Sequence, residues 1–488
     1  MKKSLVIIIT AFVGFFVAIF QYIYNRSVWL DEAKLALNIL DRDYLGLMQP
    51  LDSGQIAPIL FLWIERFNIQ VFGSNELALR LFPLLAFLIS IILVIKVTTL
   101  ITKNKMIVWY TTALFCLSPR LIYYASEIKQ YSIDVMVLLL LYYVFFKAYK
   151  TNNNKRLVLI VTGLLTICLS NISVLVLFTL GCYTLVFEKK KIKELVLPIV
   201  FWVGAFIVYY ALFIYKHPNA VIMKSYWSFA FMPNNPFNIA FWSWVWQTFK
   251  TIFVYLLGFV SLFYIYLIML LFYLFSIIIL IKKRAYKICF LVMFPILLHL
   301  VLSMLKLYPF APRLVLYQVP LYLLTIGFGL NSILNYGKEK FNYKLVIAFT
   351  LFPILISAGL LWKRLPLKKE EIKPVYDYIT NTIQPEDKIY VYSKNQDVFD
   401  FYNKIGYLNY KNEIILSGSN RKNFKNNDVE LDKLNGRVWF IFAHNYKFKH
   451  DKISEQEYIL NYMKANGGIV QDSILSIKSD GYLIEVKH

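Results

Sequence analysis

The sequence predicts a helical protein that crosses a membrane many times and carries a small α/β domain at its C-terminus. Hydrophobic residues make up 59% of the 488 residues, charged residues only 17%, and the mean hydropathy is +0.56. Apolar runs close to the roughly 20 residues that cross a hydrocarbon core recur throughout residues 1–362. Residues 363–488 are instead charged, with mixed helix and strand periodicities.

We predict about eleven transmembrane helices. They cover residues 4–24, 77–101, 107–120, 130–149, 157–170, 172–188, 194–215, 254–281, 286–307, 313–334 and 345–362. The first run is interpreted as an uncleaved span, because no small-residue cleavage site follows it. Alternate connections, such as 147–156 and 335–344, are rich in lysine and arginine, which predicts that they are cytoplasmic. This count places loops 25–76 and 216–253 and the C-terminal domain on the outer face.

The net charge of +23 does not indicate a nucleic-acid partner. Residues 363–488 contain 20 basic and 17 acidic side chains, so nearly all the excess lies in short connections between the spans. This distribution is the positive-inside bias of membrane proteins. The four cysteines fall in apolar runs and the five histidines show no ligand spacing, so the sequence predicts no disulfide framework, no metal and no other cofactor.

The chain therefore divides into a transmembrane domain, residues 1–362, and an extracytoplasmic domain, residues 363–488. In the second domain we predict helices over 370–383 and 454–467 and strands over 388–393, 437–444, 469–478 and 482–487. Gly467 and Gly468 are expected to end the second helix, and the last two strands to pair.

An acidic pair, Asp31 and Glu32, follows the first predicted span. Apolar residues such as Leu35 and Ile39 recur behind it at helical spacing, which predicts a short amphipathic helix in the headgroup plane. Two explanations remain open for the pair. In the first, the pair supplies a catalytic base. In the second, it complements the helix dipole and Asp31 is the N-cap. A capping box is not expected in that case, because Lys34 stands where the motif needs glutamate.

Ionisable residues also gather at other predicted span ends. Glu127 and Lys129 lie beside Tyr124, and charges at membrane depth are costly enough to suggest function. Being two residues apart, they would not face each other on a helix. Arg80 follows Glu76 in the second predicted span, where a surface pair with snorkelled side chains is the simpler alternative.

Arg313 stands at the start of the tenth predicted span, after two prolines. Positive-inside sorting disfavours an arginine on the outer face, so something anionic is expected to hold it there. A lipid phosphate fits, because guanidinium forms paired hydrogen bonds with phosphate oxygens. An ordinary headgroup contact is the alternative.

Five stretches carry a family resemblance. They are 28-VWLDEAKLALNI-39, 49-QPLDSGQIAPILFLWIERF-67, 75-NELALRLFPLLAF-87, 118-SPRLIYYASEIKQYSID-134 and 308-YPFAPRLVLYQVPLYLL-324. In this order they resemble the integral-membrane glycosyltransferases of the GT-C fold, especially the bacterial aminoarabinose–lipid A transferases and their relatives, the protein O-mannosyltransferases.

The resemblance implies a reaction at the outer face of the bacterial cytoplasmic membrane. A polyprenyl-phosphate sugar is the donor, and a hydroxyl of a glycolipid, polysaccharide or protein attacks its anomeric carbon with inversion. The resemblance makes Asp31 the catalytic base, with Glu32 positioning it. The substrate-binding residues would be Glu127, Tyr124, Arg313, Lys129 and Arg80, and Lys129 replaces an arginine expected there.

Two other functions remain as alternatives. A transporter or flippase of lipid-linked sugars is disfavoured because the sequence shows neither pseudo-symmetric halves nor charges at mid-bilayer. A polysaccharide polymerase or ligase would use the same lipid carriers. Such enzymes usually carry key arginines in large outer loops, whereas this chain has its acidic pair in the first loop.

Overall fold

A computed structural model of the chain describes residues 2–150, 156–215, 217–256, 265–418, 428–445 and 453–486. The helices are α1 (Lys2–Tyr24), α2 (Leu30–Asp41), α3 (Ile59–Phe72), α4 (Glu76–Thr102), α5 (Lys105–Cys116), α6 (Pro119–Tyr124), α7 (Tyr131–Lys150), α8 (Arg156–Leu169), α9 (Ser173–Phe187), α10 (Ile192–Tyr209), α11 (Ala220–Tyr226), α12 (Ile239–Thr251), α13 (Ile265–Lys282), α14 (Tyr286–Met304), α15 (Val319–Lys340), α16 (Tyr343–Arg364), α17 (Lys373–Thr382), α18 (Gln396–Lys404), α19 (Asp428–Leu431) and α20 (Glu455–Ala465). The strands are β1 (Lys388–Val391), β2 (Ile414–Leu416), β3 (Gly436–Ala443), β4 (Ile469–Ser476) and β5 (Ser479–Val486).

These elements form two compact units. The helical unit consists of Met1–Tyr24, Tyr44–Asn68 and Arg80–Pro366. The mixed unit consists of Asn25–Asp43, Ile69–Leu79 and Leu367–His488. The mixed unit is thus discontinuous in sequence, and it contains the short helix α2 that carries the acidic pair.

The helical unit confirms the predicted class of a polytopic helical membrane protein. A helix occurs within every one of the predicted spans. Six helices in the described part of the chain are long and apolar enough to cross a membrane: Ser4–Tyr24, Glu76–Thr102, Tyr131–Ala148, Lys189–Ile214, Tyr286–Met304 and Tyr343–Arg364. Large apolar side chains of α1 and α10, such as Phe12, Phe16 and Val200, are exposed, as expected of residues that face lipid.

The boundaries differ from prediction in the outer connections. The tenth predicted span began at residue 313, but α15 begins at Val319, because the proline-rich segment before it folds into turns. Helix α3 lies in a segment that was predicted only as loop. Part of the predicted span 254–281, residues 257–264, lies outside the described residues.

The mixed unit is built on a five-stranded sheet with the order β2-β1-β3-β5-β4. Strand β1 pairs in parallel with both β2 and β3, whereas β5 is antiparallel to β3 and β4. Val438 to Phe442 of β3 are fully buried, as expected of a central strand covered on both faces. Residues of α20 pack on one face, and α17 contacts β4 and β5.

Capping explains why α20 begins and ends where the sequence predicts. The hydroxyl of Ser454 accepts a hydrogen bond from the Glu457 amide (3.2 Å), and the Glu457 carboxylate accepts one from the Ser454 amide (2.6 Å). Gly467 follows the helix with φ +85°, a conformation that favours glycine. The predicted pairing of the last two strands is also confirmed.

Three elements of the mixed unit are absent from the sequence prediction: β2, α18 and the single-turn helix α19. Strand β2 has only three residues and lies at the sheet edge within a polar segment, so its pattern is too short to recognise. Helix α18 buries Val398, Phe399, Phe401 and Tyr402, a pattern that short aromatic strands also show.

Within the helical unit, one glycine allows close packing of two spans. A Cβ atom on Gly163 of α8 would lie 2.0 Å from the indole nitrogen of Trp202 on α10. That nitrogen donates a hydrogen bond to the Leu159 carbonyl (3.0 Å). The indole therefore occupies the space that any larger residue at position 163 would need.

We expect Gly163→Ala to lower the thermal unfolding midpoint of the purified protein, because overpacking a helix contact costs about 1–3 kcal/mol. Gly204→Ala on α10 is the matched control, since no atom lies within 4 Å of its added Cβ. The control should leave the midpoint unchanged or slightly raised. Equal midpoints for the two variants would contradict the close packing.

Candidate active site

The acidic pair lies in the first turn of α2. The helix begins at Leu30 with Trp29 as N-cap, so the alternative that made Asp31 the N-cap is wrong. Glu32 is the third helical residue, and its carboxylate accepts a long hydrogen bond from the Trp29 amide (3.5 Å). Asp31 is half-buried, in a position that complements the helix dipole.

Glu32 forms a buried ion pair with Arg26. The guanidinium Nη1 lies 2.7 Å from the Glu32 Oε2 atom, and neither side chain is exposed. The same nitrogen donates to the Ser27 carbonyl (3.1 Å). A buried pair is costly to break because it leaves an uncompensated charge. Glu32 is therefore engaged in holding the segment before α2 in place.

The segment that enters α2 is also bound by the C-terminal part of the chain. The Ser27 hydroxyl donates to Glu371 (3.2 Å) and accepts from the Lys373 amide (3.1 Å). The Val28 amide donates to the Tyr402 hydroxyl (2.8 Å). These contacts fix both the position and the direction of the chain as it enters the helix.

Glu76 belongs to the same network. It accepts hydrogen bonds from Asn25 (2.8 Å) and Tyr402 (2.8 Å), and it pairs with the Lys373 amine at 3.1 Å. Glu76 is 5% exposed and Arg80 is fully buried. The alternative of a snorkelled surface pair between these two residues is therefore wrong.

The N-cap residue Trp29 packs against the C-terminal segment as well. The Lys369 amine lies over the indole ring, 2.6 Å from its centroid, which is a cation–π contact. The His444 ring lies 6.1 Å from the indole, and its Nδ1 atom is 2.9 Å from the Glu370 carboxylate. The start of α2 is thus held on its indole side as well as through its backbone.

The next charge along α2 after the acidic pair is Lys34, one helical turn from Asp31. Its amine lies 4.0 Å from the Asp397 carboxylate on α18. Burial raises the pKa of Asp397, and the nearby charges of Lys34 and Lys394 partly offset that effect. This face of α2 is therefore also packed within the mixed unit.

In the helical unit, Glu127 and Lys129 lie in the tight turn between α6 and α7. The Lys129 amide donates to the Glu127 carbonyl (2.7 Å), and both side chains are buried. The Lys129 amine donates to the Gln55 side-chain oxygen (2.6 Å). Gln55 follows a single 3₁₀ turn and its carbonyl accepts from Asn219 (3.4 Å).

Aromatic rings surround the same turn. Tyr124 is buried, and its ring packs edge-on against Tyr123 (5.4 Å) and Tyr131 (5.2 Å). Edge-to-face packing of this kind fixes ring orientation. Tyr124 therefore gives the Glu127–Lys129 turn a rigid apolar wall.

Arg313 lies in the turn before α15 and is half-buried. Its guanidinium stacks over the Trp227 ring, 4.7 Å from the ring centroid. Stacking uses the face of a guanidinium, and its N–H groups point outward in the plane, where phosphate oxygens bind. Trp227 comes from the predicted outer loop 216–253.

A buried histidine braces the segment that carries Arg313. His299 Nε2 donates to the Pro309 carbonyl (3.1 Å), because a carbonyl oxygen only accepts. Nδ1 of the neutral ring then accepts from the Tyr317 hydroxyl (3.0 Å), which in turn accepts from Gln318 (3.1 Å). These contacts hold the segment on both sides of Arg313.

Arg80 is enclosed near the start of α4. The phenol of Tyr22 lies within the electrostatic reach of both Arg80 and Glu65. Glu65 is fully buried, and its Oε2 atom accepts a long hydrogen bond from Asn68 (3.4 Å). Arg80 thus belongs to a buried polar cluster at one end of the helices.

The structure distributes the predicted site residues between the two units. The mixed unit holds Asp31 and Glu32, and the helical unit holds Arg80, Tyr124, Glu127, Lys129 and Arg313. Sequence reasoning missed the residues that orient them, Arg26, Gln55, Trp227 and His299. Only His299 carried a clear signal, because a lone ionisable side chain inside an apolar helix needs a partner.

Among the described residues, no group of three or more His, Cys, Asp or Glu side chains is arranged to hold a metal ion.

Comparison with known proteins identifies the fold. Residues 57–215, less than half of the chain, match a family model described as dolichyl-phosphate-mannose-protein mannosyltransferase. The structure of ArnT from Cupriavidus metallidurans superposes with TM-scores of 0.51 when bound to undecaprenyl phosphate and 0.54 in the apo state. Each match covers 98% of this chain and 97% of ArnT at 11% sequence identity.

The Archaeoglobus fulgidus oligosaccharyltransferase aligns with a TM-score of 0.49 and 11% identity over 90% of this chain and 69% of its own. No curated protein matches the chain in sequence. The whole-chain superposition on ArnT confirms the fold that the sequence resemblance predicts, the GT-C fold.

We expect Arg26→Gln and Glu32→Gln each to destabilise the protein by about 3–5 kcal/mol, because each leaves a buried charge without its partner. Glu386→Gln is the control, because it removes an exposed carboxylate of the mixed unit, and it should unfold close to the wild-type temperature. Thermal unfolding and limited proteolysis of the purified variants measure the difference. Wild-type stability of Glu32→Gln would show that the pair does not hold α2.

Proposed function

We propose that this protein is a glycosyltransferase that moves a sugar from a polyprenyl-phosphate donor to a hydroxyl of a cell-envelope acceptor. The observation that carries the proposal is the match of residues 57–215 to the mannosyltransferase family model. That stretch contains the buried or enclosed residues Arg80, Tyr124, Glu127 and Lys129. The superposition on ArnT with undecaprenyl phosphate bound supports a lipid-phosphate donor.

The reaction proposed is a single displacement with inversion. Asp31 accepts the proton of the acceptor hydroxyl as its oxygen attacks the anomeric carbon of the donor sugar. The bond between that carbon and the phosphate oxygen breaks, and polyprenyl phosphate leaves with the electron pair. Glu32 is not proposed as the base, because protonating it would leave the buried Arg26 guanidinium, 2.7 Å away, without its charge partner.

Cations stabilise the negative charge that develops on the leaving phosphate. Arg313 is the main candidate, because its stacking on Trp227 presents the guanidinium edge in one direction. Lys129 and Arg80 are further candidates. Gln55 orients the Lys129 amine through a 2.6 Å hydrogen bond, which supplies some of the direction that a lysine otherwise lacks.

Glu127 and Tyr124 are proposed to contact the sugar or the acceptor. A buried carboxylate accepts hydrogen bonds from sugar hydroxyls, and an aromatic ring packs on their apolar face. Glu127 is 1% exposed and Tyr124 is 4% exposed. The acceptor is a glycolipid, a polysaccharide or a protein, and we place the reaction at the outer face of a bacterial cytoplasmic membrane.

We expect Asp31→Asn to slow the release of polyprenyl phosphate by at least about 100-fold, because removing a general base costs this much. The assay uses the full chain in lipid nanodiscs, a panel of polyprenyl-phosphate sugars and a crude envelope-glycan extract. Asp43→Asn, an exposed acid after the same helix, is the control and should retain the wild-type rate. Equal rates for wild type and Asp31→Asn would remove Asp31 from the chemistry.

We expect Arg313→Lys to weaken donor use by about tenfold, because lysine binds phosphate as a point charge without a planar edge. The initial rate is measured against donor concentration. Arg120→Lys is the control, since Arg120 also lies over an aromatic ring, that of Tyr255 at 3.4 Å. An unchanged donor dependence in Arg313→Lys would show that this arginine does not bind the phosphate.

A further inference from the structure

The helical unit contains a polar groove that the proposed reaction does not yet use. The groove has a volume of about 570 Å³ and is formed by the last turn of α11, the connection from α11 to the start of α12, and a residue that follows α14. Its polar side chains are mostly amides and amines, and they belong to Lys224, Ser228, Asn234, Asn235, Asn238 and Lys306. The described lining residues include none of the predicted site residues.

Hydrogen bonds to neighbouring elements fix the walls of this groove. The Met232 amide donates to the Ser303 hydroxyl of α14 (3.0 Å), and that hydroxyl donates to the Ala230 carbonyl (3.2 Å). Farther along the connection, the Trp242 indole nitrogen donates to the Pro236 carbonyl (2.9 Å). The groove is therefore formed before any ligand arrives, as is usual for sites that bind small molecules.

Two side-chain amides in the lining are oriented by the backbone. The Asn235 Oδ1 atom accepts from the Phe237 amide (3.0 Å), and the Asn238 Oδ1 atom accepts from the Ala240 amide (2.9 Å). Because each oxygen is bound to the backbone, the NH₂ group of each side chain is the part that a ligand in the groove contacts. These groups donate hydrogen bonds to hydroxyl or carboxylate oxygens.

Lys224 and Lys306 give the groove a positive charge. Both side chains are exposed, and the described lining residues include no acidic side chain. Amines together with amides fit a ligand that carries both negative charge and hydroxyl groups. A neutral oligosaccharide would not use the amines, and a small inorganic anion would occupy only part of the volume. Sugars that carry carboxylates have both kinds of group.

The groove adjoins the segment proposed to bind the donor phosphate. Ser228 in its lining directly follows Trp227, the ring on which the Arg313 guanidinium stacks at 4.7 Å. The Phe310 amide, three residues before Arg313, donates to the Ala230 carbonyl (2.9 Å). A glycan held in the groove therefore lies close to the donor that it would meet in the reaction.

We propose that this groove binds the acceptor and that the acceptor is a polysaccharide with carboxylate-bearing sugars. The two lysine amines bind the carboxylates, and the amides of Asn235 and Asn238 donate to oxygen atoms of the sugars. The role of the glycan as acceptor rests on the proposed function. Its binding does not require catalysis, so the two can be tested separately.

Binding is measured on the full chain in phosphatidylcholine nanodiscs at low salt. The probes are tetragalacturonate, which carries a carboxylate on each sugar, and maltotetraose, a neutral oligosaccharide of the same length. We expect tetragalacturonate to bind saturably and maltotetraose to bind at least about tenfold more weakly, because a neutral sugar forms no ion pair with the amines.

The double variant Lys224→Gln/Lys306→Gln removes the positive charge. We expect it to bind tetragalacturonate about 25-fold more weakly, since an exposed ion pair contributes up to about fivefold. Lys338→Gln/Lys340→Gln is the matched control, because it removes the same charge from the exposed last turn of α15. The control should bind as the wild type does.

A second variant, Asn234→Asp, adds a negative charge to the exposed lining with almost no change of shape. We expect about fivefold weaker binding of tetragalacturonate through repulsion and an unchanged unfolding midpoint. Any of three results would overturn the proposal: equal binding of the two probes, equal weakening in the control double variant, or wild-type binding by Lys224→Gln/Lys306→Gln. If phosphatidylglycerol raised the unfolding midpoint through these lysines and tetragalacturonate did not bind, the lysines would belong to a lipid site and the proposal would also fail.

The transferase assay separates this inference from the proposed function. Release of polyprenyl phosphate is measured against the concentration of the acidic or the neutral fraction of the envelope-glycan extract. We expect Lys224→Gln/Lys306→Gln to need more of the acidic fraction for half the maximal rate, with an unchanged dependence on donor. Release with the neutral fraction alone would overturn the inference and keep the proposed function. Saturable binding of tetragalacturonate without release from any donor would keep the glycan site and contradict the proposed function.

Discussion

The absence of water from a bilayer core is the constraint on which this structure depends. Each backbone amide within the hydrocarbon must find a partner in its own chain, so the spans are helices and polar chemistry is confined to where they end. The Glu127–Lys129 turn, Arg80 at the start of α4 and Arg313 before α15 all follow this rule. Each of these charges is buried or partly buried. Lys129 and Arg313 are held by neighbours that the apolar pattern does not show, Gln55 and Trp227.

The acidic pair illustrates how two neighbouring carboxylates acquire different roles. Glu32 is fixed by Arg26 in a site without solvent, whereas Asp31 remains half-buried in the same helical turn. A carboxylate in a buried ion pair is poorly suited to act as a general base, because accepting a proton would leave the arginine without its charge partner. The pair also fixes the segment that precedes the helix. The different roles of the two carboxylates therefore depend on Arg26, six residues before Glu32.

The sequence was sufficient for the spans because the length and composition of an apolar run determine whether it becomes a helix in a membrane. It also predicted α20, whose capping box and terminal glycine are local signals. The sequence was not sufficient to predict the partners of Glu32, Lys129 and Arg313. Gln55, for example, lies 74 residues from Lys129 in the chain, and hydrophobic periodicity carries no information about such a distant contact. Glu76 was misjudged for the same reason, because its partner Lys373 is far away in the chain.

The discontinuity of the mixed unit sets an order for its assembly. Ser27 bonds to a residue 344 positions later, and Val28 to one 374 positions later. At a synthesis rate of about 5–20 residues per second, these partners are made roughly 17 to 75 seconds after the start of α2. The membrane helices are made in that interval, so the loop that carries Asp31 reaches its final form only after the spans are in place. A chain released before residue 371 would possess most of its membrane helices and lack the contacts that hold its acidic helix.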